Sequence, residues 1–298
     1  MSISVIIPTY RNTEVLVRNL RHNTPYLSSC EVIVVNDDPT NDIASHLNDF
    51  PQIILIQNAV NKGFAGTMNT GISKAKGEHL LFLNDDVKLL NDSYNLALAN
   101  LKQDPILFAV SFAQKDIGGK ISGRKKLFWT NGFIQHDYGD STQKGTTGWA
   151  DGGSCMVDGA KLRDLKGFDE LFAPFYWEDI DLSYRAQKKG HTILFDPKIL
   201  VEHHHETTIG SQFSKNHIQS IAYRNQLLCI WKNVTSWRLI INHKWFLIKL
   251  LAQSIAKGDT VFLEGFFQAL LRFPRILVAH FLSPSIISDY EILSRNAH

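Results

Sequence analysis

Cysteine is scarce: Cys30, Cys155 and Cys229 are the whole complement, far apart and odd in number. That spacing builds neither a disulfide framework nor a zinc ribbon, and a reducing, cytoplasmic location is expected. Long apolar runs are missing too, because no segment reaches the ~20 uninterrupted residues of a membrane span. The amino terminus passes directly into Ile3-Ser4-Val5-Ile6-Ile7-Pro8, without the basic region, apolar stretch and cleavage site of a signal peptide. Nor does one charge dominate: 31 Lys/Arg meet 29 Asp/Glu, and 44% of residues are hydrophobic, which argues against wholesale disorder and against nucleic acid as a partner.

What is present is a repeating pattern. With 298 residues the chain can bury one large α/β core plus a smaller appendage, or two modest domains. Short apolar runs at Ser4 to Ile7, Glu31 to Val35, Ile53 to Gln57 and His79 to Leu83, the first of them β-branched, read as strands. Segments with helical spacing fall between them: one after Thr13, one over residues 43–50 and one over residues 67–75. Four such alternations with short connections predict a mostly parallel sheet flanked by helices. A further helix is expected over residues 91–102 and a strand over residues 108–112. Residues 115–148, rich in Gly, Lys, Thr and Asp, read as a long loop or excursion.

Carboxylates collect at the strand ends. Glu31 to Val35 runs into Asn36-Asp37-Asp38, and the apolar run Leu80 to Leu83 stops on Asn84-Asp85-Asp86. Ligands bind at that edge of open α/β sheets, and paired carboxylates repel one another unless a cation or proton intervenes. Farther on, Phe175-Tyr176-Trp177 leads into Glu178-Asp179-Ile180-Asp181, an aromatic approach to a helix with three carboxylates in its first turn. Dipole complementation accounts for some of those acids but not for the aromatics. A strand over residues 192–195 is followed by Leu200-Val201-Glu202, which leads into His203-His204-His205, either a solvated loop or a set of metal ligands.

The last part differs in kind. Beyond Glu206 stand ten Lys/Arg against four Asp/Glu, a net of +6, which leaves the preceding residues at −4. Two amphipathic stretches, residues 236–257 and 261–282, intersperse aromatics with cations. Such helices suit packing against the body, a homodimer contact, or a peripheral position at the inner face of the cell membrane.

Taken together these segments resemble the family-2 glycosyltransferases, inverting enzymes with the glycosyltransferase-A fold, over residues 2–224. The marks are Val5-Ile6-Ile7-Pro8-Thr9-Tyr10, Val35-Asn36-Asp37-Asp38, Asn61-Lys62-Gly63-Phe64 with Asn69 and Gly71, Leu83-Asn84-Asp85-Asp86, and Gly167-Phe168-Asp169-Glu170 running into Trp177 to Leu182. Their order and spacing carry the resemblance, which is strongest to the bacterial rhamnosyltransferase-type branch. It implies a catalytic domain over residues 1–225 and a C-terminal helical region over residues 226–298. It also implies transfer of a hexosyl or deoxyhexosyl group from a nucleotide-diphosphate sugar to a glycan or lipid-linked acceptor in cell-surface polysaccharide synthesis.

Residue by residue, the resemblance assigns Pro8, Thr9, Tyr10, Asp37, Asp38, Asn61, Lys62, Gly63, Asn69 and Asp85 to the nucleotide sugar. It assigns Asp179, with Glu178, to general base catalysis, and places Mg²⁺ or Mn²⁺ on Asp86 and His203. Tyr176 and Trp177 are expected to offer the acceptor an apolar platform. Asn84 stands where the family's Asp-x-Asp motif has its first carboxylate, and its neutral amide oxygen is a weaker ligand. A sugar nucleotidyltransferase would want a Gly-rich, Arg/Lys-bearing loop after the first strand, which Pro8-Thr9-Tyr10-Arg11-Asn12 is not. A catalytically lapsed glycan-binding protein fits the Asn84 departure but not an intact Glu178-Asp179.

Overall fold

Strand β1 (Ile3–Thr9) is buried along both faces, and its side chains divide by parity. In the computed structural model, which describes residues 2–203, 210, 213–280 and 285–296, Val5 and Ile7 join one apolar core while Ile6 joins another. Helix α1 (Thr13–Asn23), β2 (Glu31–Asn36), β3 (Ile53–Gln57), α2 (Gly63–Lys74) and β4 (His79–Leu83) follow. In β4 the same alternation sends Leu81 and Leu83 to the first core and Leu80 and Phe82 to the second, as a two-residue repeat requires. Helix α1 closes the first core with Leu16 and Leu20; α2 closes the second with Ala65 and Met68. Each fully buried Leu or Phe of this kind contributes roughly 1.5–3 kcal/mol.

The chain continues through β5 (Val87–Leu89), α3 (Tyr94–Gln103), β6 (Leu107–Lys115), β7 (Ile121–Ser122), β8 (Lys125–Thr130), β9 (Phe133–Tyr138), β10 (Gly145–Thr146), β11 (Ser154–Asp158) and α4 (Gly159–Asp164). After α5 (Glu178–Lys188) and β12 (Thr192–His203) come the C-terminal helices α6 (Lys215–Asn233), α7 (Trp237–Lys257), α8 (Thr260–His280) and α9 (Asp289–Arg295). The main sheet has the order β10-β12-β6-β11-β4-β1-β2-β3, with β5 on β12 and β7 on β6. Strands β3, β2, β1 and β4 are mutually parallel, and β11 runs antiparallel between β4 and β6.

Four local expectations change. Residues 43–50 hold only a short 3-10 turn, Ala44–Leu47, rather than a helix. Residues 115–148 are not structureless, because β8 and β9 pair as a hairpin. Its turn, Asn131-Gly132, has φ of 49° and 79°, the two left-handed residues of a type I′ connection. The strand expected at 192–195 runs on to His203 as β12, with an irregularity between Asp196 and Leu200. Helix α2 starts at Gly63, whose φ of +68° and closeness to Pro174 exclude a side chain: a Cβ there would sit 2.8 Å from the Pro174 carbonyl oxygen.

The boundary expected at residue 225 falls inside α6. A third apolar core joins Leu127 of β8, Trp177, Ile180 and Tyr184 to Leu227 and Leu228 of α6, Leu239 of α7, Ala269 and Ile276 of α8, and Ile292 and Leu293 of α9. Asp289 of α9 accepts from Tyr184 Oη at 2.7 Å and from the Ser236 N–H at 2.6 Å, and pairs with Lys188 at 2.6 Å. The C-terminal helices therefore complete the body. A chain ending at Val234 is expected to lose its cooperative thermal transition or to melt about 10 °C or more below the full chain. An unchanged melt, followed by circular dichroism, would make α7 to α9 an appendage.

Candidate active site

Strand β4 ends in a tight turn. The Val87 N–H donates to the Asn84 carbonyl at 3.1 Å, so Asp85 and Asp86 take its two central positions and their side chains part. Asp85 turns toward the β1–α1 connection, where Thr9 Oγ1 donates to it at 2.7 Å and Asn12 Nδ2 at 3.1 Å. Burial pushes its carboxyl up to about 7, against the pull of Thr9 and with help from the Asp86 charge. Asp86, itself buried, turns toward β12, which runs antiparallel to β5 with His203 opposite Val87.

His203 Nε2 lies 3.1 Å from Asp86 Oδ1. Its Nδ1 is 3.0 Å from Gln114 Oε1, and Gln114 Nε2 donates to Ser154 Oγ at 2.7 Å. That chain turns the Gln114 oxygen toward the ring, so Nδ1 carries a proton and the neutral ring presents the Nε2 lone pair to a carboxylate. Two acceptors facing each other call for a proton or a cation between them. Burial opposes the protonated ring, but the hydrogen bond and charge of Asp86 outweigh it and raise the His203 pKa. A divalent cation fits the same place: carboxylate oxygen and imidazole suit Mn²⁺ or Mg²⁺, and Asn84 Oδ1 in the same turn is buried without a hydrogen-bond partner. Among the described residues no three His, Cys, Asp or Glu side chains cluster as a metal site. His204 and His205 lie outside the described residues.

These groups line a cleft of about 400 Å³ with Pro8, Thr9, Tyr10, Asp37, Asn61 and Gly63. Asp37 is also structural. Its carboxylate accepts from Asn58 Nδ2 at 2.7 Å and from the Lys62 and Gly63 N–H groups at 2.9 Å, which ties the end of β2 to the start of α2. Asp38, Lys62 and Asn69 do not line this cleft. Asp38 binds Thr40 and Arg11, Lys62 Nζ donates to Thr70, and Asn69 holds the backbone of Phe168 from both sides.

The approach to α5 is held from behind. Tyr176 and Trp177 have φ of 72° and 74°, a left-handed pair that costs backbone energy without glycine. Asn225 of α6, fully buried, donates its amide to the carbonyls of Phe172, Phe175 and Tyr176 at 2.7, 2.9 and 2.8 Å. Arg224 donates to the Ala173 carbonyl at 2.6 Å, and Arg272 of α8 to the same oxygen at 3.0 Å. Tyr176 is left exposed and lines the cleft. Trp177 departs from the expectation of an acceptor platform: it is 6% exposed and belongs to the third core.

Glu178 and Asp179 open α5 just beyond this turn. Neither lines the cleft, but Asp179 stands behind Gly152, where a Cβ would lie 3.7 Å from its own Cβ and 3.1 Å from the cleft-lining Phe64 ring. Burial raises both carboxyl pKa values, and the Asp179 charge adds to the rise at Glu178, whose Oε2 is buried without a partner. Next to them sits a group that sequence reasoning missed. Lys125 of β8 pairs with Asp151 and lies over Trp149 at 5.0 Å from its ring centre. Burial opposes the Lys125 charge, but Asp151 and Asp179 outweigh it. Asp181, by contrast, is bound by Arg185, Lys232 and Asn233 at 2.7–2.8 Å and is structural.

Residues 4–166, more than half of the chain, match the family described as glycosyl transferase family 2. Over 107 residues the chain is 34% identical to an uncharacterized glycosyltransferase of Haemophilus influenzae, covering 35% of each protein, so it spans about a third of that relative. It is 26% identical over 242 residues to the amylovoran biosynthesis glycosyltransferase AmsB of Erwinia amylovora, covering 71% of this chain and 72% of that protein. Its fold is shared with the crystal structure of GalNAc-T7 with UDP, GalNAc and Mn²⁺, at a TM-score of 0.61 and 15% identity over 86% of this chain and 57% of the other. With its parallel strands, its acidic turn after β4 and its carboxylates opening α5, the chain belongs to glycosyl transferase family 2.

Proposed function

We propose that this chain is an inverting glycosyltransferase that moves a hexosyl or deoxyhexosyl group, rhamnosyl among the candidates, from a nucleotide-diphosphate sugar to a glycan or lipid-linked acceptor in cell-surface polysaccharide synthesis. The observation that carries the reading is the Asp86–His203 pair, 3.1 Å apart in the cleft that the ends of β1, β2 and β4 share. The name of the Erwinia relative supports a role in polysaccharide synthesis, and the UDP and Mn²⁺ in the GalNAc-T7 structure support the donor class and the metal.

Each residue then has a task. Pro8, Thr9, Tyr10, Asn61 and Gly63 border the nucleotide, and Asp37 holds the Asn61–Gly63 loop in place. Asp86, His203 and Asn84 would hold Mg²⁺ or Mn²⁺, which when bound supplies Lewis-acid neutralisation of the leaving diphosphate. Asp85 fixes the β1–α1 connection through Thr9 and Asn12. Asp179 takes the proton from the acceptor hydroxyl; its raised pKa makes it a better base than an ordinary aspartate. Glu178, raised further, keeps its proton near neutrality and spares the site a second negative charge. Exposed Tyr176 is the remaining aromatic for a sugar face.

Asp179→Asn is expected to lower turnover by ~10²- to 10⁴-fold while nucleotide affinity holds; retained turnover would move the base to Glu178. Because the base must be ionised and the Lys125 charge favours that form, Lys125→Met should raise the Asp179 pKa. The acid limb of the kcat–pH profile should then move up by about one pH unit, and a limb that stays or moves down removes Lys125 from the site's electrostatics. For the metal, calorimetry of nucleoside diphosphates with and without Mn²⁺ should show binding strengthened by the ion, and Asp86→Ala should abolish the difference. Equal affinities in the unsubstituted chain would sink the metal assignment.

A further inference from the structure

Helix α7 presents the wrong face to water. Its inward side packs Leu239, His243 and Ser254 against the body, with Phe246, Leu247 and Leu250 partly covered. Three side-chain bonds lock that orientation: His243 Nδ1 donates to the Gly132 carbonyl at 2.7 Å, Trp231 Nε1 donates to His243 Nε2 at 2.8 Å, and Trp129 Nε1 donates to Asn242 at 2.8 Å. The opposite side is therefore fixed outward, and it is apolar. Trp237, Ile241, Trp245, Ile248 and Ile255 recur at helical spacing and are each 58–69% exposed. A soluble helix ordinarily carries polar residues on that stripe, which here runs for about 27 Å.

The charges around the stripe select what covers it. From Trp237 to Lys257 the helix has Arg238, Lys244, Lys249 and Lys257 and no Asp or Glu. Packing the stripe on its own copy would set Lys244 and Lys249 against the same residues with no acid on the helix to offset them. A sheet of lipid phosphates over an apolar interior satisfies both features, because cations meet phosphate while Trp and Ile enter the acyl boundary. No described helix is long and apolar enough to cross a membrane, so the contact is lateral. Helix α8 adds exposed Phe267 and Leu271.

We propose that the outer face of α7 binds the surface of an anionic lipid bilayer, with the helix lying in the interface plane. The inference stands apart from the donor and acceptor chemistry proposed above, so the two fail separately. Flotation of the full chain with vesicles of phosphatidylcholine alone, or mixed with phosphatidylglycerol, tests it. Partitioning onto the mixed vesicles should exceed that onto neutral ones by about tenfold and fall as salt is raised. Trp245→Ser with Ile248→Ser should lower it by about tenfold, and Lys244→Glu with Lys249→Glu should remove the preference for anionic lipid. Both pairs point away from the body, so melting temperature and nucleotide binding should match those of the parent chain. Absence of flotation, or equal flotation of parent and variants, overturns the proposal. So does sedimentation showing a dimer that the Ser variants dissociate, which would assign the face to a second copy.

Discussion

Two adjacent carboxylates cannot occupy one apolar sheet edge unless something separates or neutralises them, and the four-residue turn after β4 does the separating. With Asp85 and Asp86 at its centre, one side chain reaches Thr9 and Asn12 while the other reaches His203. The first arm ties β4 to the connection that borders the cleft. The second joins β4 to β12, a strand on the far side of β11 and β6 in the sheet. Placing His203 there takes the irregularity in β12, which lets a strand parallel to β6 run on and meet β5. The candidate metal ligands thus come from two regions brought together by strand pairing alone.

The turn that leads into α5 is held by a different device. Tyr176 and Trp177 adopt left-handed backbone that neither residue favours, and the cost is offset by carbonyls that find donors on α6 and α8. Asn225 has two amide hydrogens for three carbonyls, so one hydrogen is shared, which draws those oxygens toward one point. Arg224 and Asn225, adjacent on α6, thus both act on the segment before α5. This contact also explains why the C-terminal helices share an apolar core with α5: the helices that brace the turn need a fixed seat.

Electrostatics around α5 are sorted by partner rather than by residue type. Of the three carboxylates in its first turn, Asp181 is surrounded by Arg185 and Lys232 and is lowered to about 2 despite its burial. Glu178 and Asp179 lack such direct pairing and rise. Lys125, already paired with Asp151, moderates Asp179 without neutralising it. The three carboxylates of one helix turn thus differ by their surroundings: Asp181 is held ionised by its cations, while burial raises Glu178 and Asp179.

The sequence by itself determined the alternation of strands and helices, the acidic strand ends, the carboxylates opening α5 and the cationic character of the C-terminal helices. Those features are carried by local periodicity and by residue type, which need no knowledge of distant contacts. It also held the Asn131-Gly132 hairpin signal, flanked by Leu127-Phe128-Trp129 and Phe133-Ile134, but the surrounding Gly and Lys obscured it. Only the tertiary structure decided that Trp177 is buried, that Asn69 binds the backbone of Phe168, and that Lys125 reaches Asp151 and Asn225 reaches Tyr176. Each depends on side-chain direction across a turn or on pairing between segments far apart in the chain. Hydrophobic pattern specifies that a residue is buried; what it is buried against is set by packing.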